Sequence, residues 1–186
     1  MAKRVYIRHA MKEYANGKEQ GCDPPITEEG KEETIKIADK LYSAFGLPTV
    51  IITSPFLRTR QTALIIKNRL TKLSSQDIPL ICDKKIGEYL GNQPLEIQAM
   101  LTKETLSYDP FTGENISSLL VRIREHNDTL AALEKDDFTF FIISHGLIIK
   151  KLARFNGFFL PGYPSCLAGL IINGSKVETF GNWGKE

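Results

Sequence analysis

Val5-Tyr6-Ile7-Arg8-His9-Ala10 lines up three apolar residues and then ends on an arginine and a histidine. Far downstream, Phe138-Thr139-Phe140-Phe141-Ile142-Ile143-Ser144-His145-Gly146 finishes in much the same way. Between them, Val50-Ile51-Ile52 runs into Thr53-Ser54-Pro55-Phe56-Leu57-Arg58-Thr59-Arg60-Gln61-Thr62-Ala63. Short apolar runs with polar borders are the pattern of buried strands. In an open α/β sheet, ligands sit at the carboxyl ends of the strands. Three strand ends carrying cationic or titratable side chains therefore predict one pocket for an anion.

Working outward, strands alternate with helices. Arg4 to Ile7 reads as the first strand, and residues 11–26 as a long loop punctuated by Gly and Pro. Thr27 is placed to cap a helix whose first turn holds Glu28 and Glu29, which suits the helix dipole. Its inward stripe is expected at Ile35, Ala38, Leu41 and Tyr42, with Gly46 and Pro48 ending it. Residues 49–53 form the next strand. Residues 56–71 form a helix with Leu57, Ala63, Leu64, Ile66 and Leu70 partly inward. A short strand is expected at 79–83 and helices at 94–101, 115–134 and 146–156. Asn173-Gly174 turns a final hairpin between Gly169–Ile172 and Lys176–Phe180. Alternating elements of this kind imply a three-layer α/β/α sandwich around a mainly parallel sheet, with all 186 residues in one domain.

Composition adds mostly exclusions. The net charge of +2 is too small to draw the chain to nucleic acid or to a membrane surface in bulk, so any strong positive field must be local. Cys22, Cys82 and Cys166 are odd in number and follow no metal-ligand or disulfide spacing. No apolar run approaches the roughly 20 residues that span a bilayer. Met1-Ala2-Lys3-Arg4 leads into only three apolar residues, too few for a signal peptide. The expected setting is cytoplasmic, without membrane or nucleic-acid partners.

The quoted segments together resemble the histidine phosphatase superfamily, the phosphoglycerate mutase-like proteins. That family's order is a strand ending in Arg-His-Gly, a Ser-Pro-x-x-Arg-x-x-Gln-Thr-Ala segment, a catalytic carboxylate, and a strand ending in Ser-His-Gly. Here Arg8-His9-Ala10, Ser54 to Ala63, Glu88 and Ser144-His145-Gly146 follow it over roughly residues 3–180. Ala10 departs from the usual glycine and adds a methyl group where glycine would allow close backbone approach to a ligand, which keeps a non-catalytic phosphate-binding module among the readings.

The resemblance implies a chemistry. His9 is the expected nucleophile, neutral on its attacking nitrogen and held at the other by an acceptor such as a backbone carbonyl. Arg8 and Arg58 would grip phosphoryl oxygens through their planar forks of donors. His145 would donate to the transferring group. Glu88 is the expected general acid, with Glu13 and Asp23 as alternatives from the first loop. Asn16 is a further candidate for the phosphate, one position later than the family pattern. Two arginines and a histidine supply the positive charge that a metal ion would bring, so neither metal nor other cofactor is expected. Arg60 is expected to face solvent or to stand behind the pocket residues, and His126, in a polar stretch, to be an exposed helix residue. Arg58 and Arg60 oppose the dipole at a helix start, a placement that a bound phosphate would offset.

Gly113-Glu114-Asn115 resembles a family segment near the pocket, and reads equally well as a helix-start turn. Tyr108-Asp109-Pro110-Phe111 and Phe158-Phe159-Leu160-Pro161-Gly162-Tyr163-Pro164 suggest an aromatic rim or ordinary packing. The expected activity is hydrolysis of a small-molecule or protein phosphomonoester through a phosphohistidine, with phosphate or another oxyanion in the pocket. The alternatives are a phosphoglycerate mutase and a non-catalytic phosphate-binding module.

Overall fold

The computed structural model describes residues 2–15, 18–19, 23–89, 115–133, 137–160 and 162–184. Its frame is a six-stranded sheet in the order β5-β4-β6-β1-β8-β9. These strands are β1 (Lys3–Arg8), β4 (Val50–Thr53), β5 (Leu80–Cys82), β6 (Thr139–Ser144), β8 (Gly169–Asn173) and β9 (Lys176–Phe180). Neighbours β5, β4, β6 and β1 run parallel, and β8 and β9 join antiparallel. A mainly parallel sheet is thus what the alternating pattern forms.

Because side chains alternate along a strand, the apolar runs feed two cores at once. Val5, Ile7, Phe141 and Ile143 face one side, where α1 (Glu28–Phe45) and α2 (Leu57–Ser74) bury Ala38, Leu41, Ala63, Ile66 and Leu70. Tyr6, Phe140 and Ile142 face the other, against Leu119, Ile123 and Leu130 of α3 (Ile116–Leu133) and Ile148, Ile149 and Leu152 of α4 (Gly146–Phe155). The result is helix–sheet–helix layering.

Local chemistry sets the boundaries. The Thr27 hydroxyl accepts from the Gly30 amide at 2.9 Å and starts α1, while Gly46, at φ 72°, ends it. Gly30 is needed for a second reason: a Cβ there would come within 2.9 Å of the Met11 carbonyl. The Thr27 amide donates to that same carbonyl, so α1 is seated directly on the loop that follows His9. Within that loop the two-residue strands β2 (Tyr14–Ala15) and β3 (Lys18–Glu19) pair, and Lys12 bridges Ile26. The C-terminal hairpin turns at Asn173-Gly174 as expected, and β7 (Tyr163–Pro164) pairs with β10 (Trp183–Gly184).

Three side-chain expectations are corrected. Ile35 is exposed, because the inward stripe of α1 runs through Gly30, Thr34, Ala38 and Leu41. Leu57 and Leu64 also point outward from α2, whose buried face is polar near its start: Arg58, Thr59 and Thr62. Apolar content alone misplaces a stripe when buried threonines and an arginine share it. The expected helix at 94–101, Tyr108 to Phe111, Gly113, Glu114, Cys22 and Pro161 lie outside the described residues. Asn115 is described, and its carboxamide caps α3 by accepting from the Ser118 amide at 2.9 Å. Among the described residues no helix is long and apolar enough to cross a membrane.

Candidate active site

The parallel registers bring three strand ends level. Ile7 pairs with Ile143 and Arg8 with Ser144, while Thr53 pairs with Ile143 from the other side. The next residue of each strand enters the same pocket: His9 after β1, Ser54 after β4, His145 after β6. All three are buried.

His9 is oriented by its own backbone. Its Nδ1 lies 2.7 Å from the Ala10 carbonyl oxygen, which only accepts, so Nδ1 carries the proton and Nε2 keeps its lone pair. Burial, then the nearby charges of His145 and Arg58, hold the His9 pKa well below the ordinary imidazole value. A neutral imidazole with a bare Nε2 is a nucleophile in waiting. The Ala10 methyl group does not crowd this site. It packs with Ile26 and Leu167 in a separate small apolar cluster, and the Ala10 amide donates to Thr62 Oγ1 at 3.1 Å.

His145 sits with its ring centroid 5.4 Å from that of His9. Ser54 Oγ is 2.8 Å from its Nε2, and Glu88 Oε2 is 3.1 Å from its Nδ1. A carboxylate can only accept, so Nδ1 holds the proton and the Ser54 hydroxyl donates to Nε2. Arg58 Nη2, 3.4 Å from the same Nδ1, meets a donor there and gains nothing from it. Burial lowers the His145 pKa to about 4, against the opposing pull of Glu88. Glu88 goes down too: burial alone would raise it, but His145, Arg58 and His9 outweigh that. At neutral pH the pair is therefore a neutral histidine donating to an ionised carboxylate.

Arg58 comes from the first turn of α2, where a cation is unfavourable. Two arrangements offset this. Asp23 Oδ2 accepts from the Leu57 amide at 2.7 Å, and Asp23 Oδ1 lies 3.1 Å from Arg58 Nη1. The helix thus receives from the first loop the N-terminal acid that its own first turn lacks. Asp23, an alternative acid in the sequence reading, stands in the pocket as the partner of Arg58. Burial raises its pKa against the opposing Leu57 amide and Arg58. The guanidinium also lies over the Phe56 ring at 4.7 Å.

Arg8 lies beside Gly146, where a Cβ would be 3.5 Å from its guanidinium, and its Nη1 donates to the Pro164 carbonyl at 2.7 Å. Among the described residues, no acceptor meets the buried Nε–H groups of Arg8 and Arg58. Leaving a buried donor unsatisfied costs about 1–3 kcal/mol. Two such donors beside His9 are a standing demand for acceptor oxygens.

Four expected site residues, His9, Arg58, Glu88 and His145, are therefore brought together around His145, which neighbours each of the other three, and Arg8 flanks them. Asn16 lies outside the described residues. The Glu13 amide donates to the Pro25 carbonyl, and no contact among the described residues ties its side chain to the pocket. Arg60 is exposed, as its position predicts. His9, Glu88 and His145 also offer three metal-ligand atoms within 4.8 Å of one another. The Arg58 guanidinium, 3.5 Å from Glu88, already takes the electrostatic place of a cation there.

Gln61 and Thr62 have structural roles that their place in the sequence does not announce. Gln61 Oε1 accepts from the Ile26 amide at 2.9 Å, and Thr62 Oγ1 joins Ala10 to the Arg58 carbonyl. His126 requires a correction. It is buried, with Nδ1 2.7 Å from Asp83 Oδ2 and Nε2 3.5 Å from the Tyr6 hydroxyl. Arg124, Glu125 and Asp128 around it face solvent while it faces inward.

The sequence profile described as histidine phosphatase superfamily (branch 1) matches residues 5–163. No curated protein matches the chain in sequence. Among solved structures, the native mycobacterial glucosyl-3-phosphoglycerate phosphatase is similar, with a TM-score of 0.67 at 20% identity over 99% of both chains. A structure of that phosphatase in complex with VO3 has a TM-score of 0.68 at 20% identity, again over 99% of both chains. YhfR of Bacillus stearothermophilus matches with a TM-score of 0.64 at 20% identity, over 96% of this chain and 95% of its own.

Proposed function

Since the chain belongs to the histidine phosphatase superfamily, branch 1, we propose that it is a phosphomonoesterase working through a covalent phosphohistidine on His9. The observation that carries this reading is the tautomer of His9. With Nδ1–H spent on the Ala10 carbonyl, Nε2 is left bare beside two guanidiniums whose buried Nε–H groups meet no acceptor among the described residues. An incoming phosphoryl group would satisfy those donors with its oxygens while its phosphorus faces the lone pair. That the mycobacterial phosphatase has a structure in complex with VO3 fits an oxyanion-binding pocket here.

The reaction has two steps. His9 Nε2 attacks phosphorus, the bond to the ester oxygen breaks, and the leaving oxygen takes a proton from the Glu88 carboxyl. Water then attacks the phosphohistidine while Glu88, now a carboxylate, takes the proton of that water. Inorganic phosphate leaves, and His9 and Glu88 return to their starting forms. Among these neighbours Glu88 is ionised. A bound phosphoryl dianion engages Arg58 and the His145 Nδ1–H and adds negative charge beside Glu88, and both changes raise its pKa. A substrate arriving as its monoanion brings the proton that Glu88 then holds. Arg8, Arg58 and His145 stabilise the charge that spreads over the transferring group.

The test is hydrolysis of a generic aryl phosphate, with EDTA present throughout, by the wild-type protein and by His9→Ala. Turnover by the wild type and a loss of at least about 10⁴-fold in the variant are expected. Substantial turnover by folded His9→Ala rules the reading out. A folded wild type that binds phosphate but turns over no phosphomonoester points instead to a binding module.

A further inference from the structure

The structure assigns Arg122, supported by His126, as a positioning residue for the general acid Glu88; this rests on the phosphatase reading above. Glu88 is not on a strand. It follows a single 3-10 turn, Lys84–Ile86, beyond the end of edge strand β5, on backbone that belongs to neither helix nor sheet. Such a segment needs its main-chain groups satisfied from elsewhere, and α3 supplies much of this.

Arg122 is buried and aims its guanidinium at this backbone. Nη1 donates to the Lys85 carbonyl at 2.6 Å and to the Gly87 carbonyl at 2.9 Å, and Nη2 lies 3.5 Å from the Glu88 carbonyl. One turn along α3, His126 meets Asp83 at 2.7 Å, and Asp83 in turn accepts from the Lys85 amide at 2.9 Å. From β6, the Ser144 hydroxyl donates to the Ile86 carbonyl at 2.8 Å. Every residue from Asp83 to Glu88 except Lys84 is thus gripped by a side chain of α3 or β6, or by Asp83 itself.

Burying a cation costs several kcal/mol unless its donors are well used. Here the donors are used on carbonyls at, and within three residues of, the proposed acid. The clamp fixes the height of the Glu88 carboxylate, 3.1 Å from His145 Nδ1 and 3.5 Å from Arg58 Nη2. A misplacement of about 1 Å in a catalytic group can cost on the order of 10²-fold in rate. Loosening the clamp should therefore damage proton donation before it damages phosphate binding.

The readout is kcat/KM, which reports transfer to His9, for two substrates. An alkyl phosphate has a poor leaving group that needs the proton of Glu88, whereas p-nitrophenyl phosphate leaves with little help. Arg122→Met should lower kcat/KM by about 10- to 100-fold on the alkyl ester and by less than about 3-fold on the aryl ester. Arg122→Lys should recover part of the loss, and Arg122→Met should add almost nothing in a Glu88→Gln background. A folded Arg122→Met that slows both esters equally, or adds its full loss to Glu88→Gln, overturns the proposal. Should Arg122→Met fail to fold, Arg122→Lys and His126→Asn are read by the same two-ester ratio and decide it. A wild type that hydrolyses neither ester removes the phosphatase reading and this proposal together; turnover with a uniform loss removes this proposal alone.

Discussion

Two regions hold the pocket, and they are built by different means. Arg8, His9, Ser54 and His145, the proposed phosphate cradle, hang from three adjacent parallel strands whose register puts the residues level. The arm carrying Glu88, the proposed acid, leaves an edge strand and is held by side chains of α3 and β6. In the proposed reaction, backbone ladders position the side chains that would meet any phosphoryl group. Side-chain clamps position the one whose importance would depend on the leaving alcohol. The comparison predicts that damage to the cradle is blind to the leaving group and damage to the arm is not.

The largest effect that could break this contrast is at Glu88. Glu88→Gln should lower kcat/KM for an alkyl phosphate by about 10²- to 10⁴-fold, with a much smaller loss for p-nitrophenyl phosphate. Equal losses on both would place Glu88 among the phosphate-binding groups and dissolve the distinction.

A cradle residue should behave in the opposite way. Ser54→Ala removes the hydroxyl that donates to His145 Nε2 at 2.8 Å and frees the ring to change tautomer or turn. A net loss of about 1.5 kcal/mol, or roughly tenfold in kcat/KM, is expected on both esters alike. A loss confined to the alkyl ester would tie Ser54 to the acid instead.

The smallest effect is on stability. His145 is lowered to about 4 and His9 is also held well below 6.5 in the folded protein. Between those values and 6.5 the unfolded chain binds more protons, so stability falls as pH drops through that window. The limit is about 1.4 kcal/mol per pH unit for each histidine. Glu88 is silent there, because its depressed pKa withdraws stability only below the ordinary carboxylate range. Thermal melts from pH 7 to pH 5 should show a falling Tm, with a shallower slope in His145→Asn. A flat profile in the wild type would mean that the two buried rings are not held neutral by the fold.

The contrast also explains what could be read from the sequence. The cradle's position was legible because each strand writes its own apolar run, so Arg8, His9 and His145 stand out at strand ends without knowledge of partners. The choice of Arg58 over Arg60, like the proposed roles, came from the resemblance. Thr27 and Gly46 mark the ends of α1 by the same local logic. The arm was legible only at Glu88, and there by resemblance. Arg122 and His126 look like ordinary polar residues of an amphipathic helix, and their burial is decided by groups that only folding brings near. Asp83, the partner of His126, is 43 residues away in the chain. The same holds for Asp23, which joins Arg58 across 35 residues. Ile35, Leu57 and Leu64 failed in the reverse sense: apolar residues stay outside where glycine, threonine and arginine take the packed face.

The most direct test of the central claim is to trap the intermediate. The wild-type protein would be mixed with an aryl phosphate, quenched rapidly in alkali to preserve a phosphoramidate, digested, and analysed by mass spectrometry. The account predicts one added phosphoryl group on the peptide containing His9, located at that residue and absent in His9→Ala. Turnover without any phosphorylated peptide, or a phosphoryl group on His145 with His9 unmodified, would contradict it.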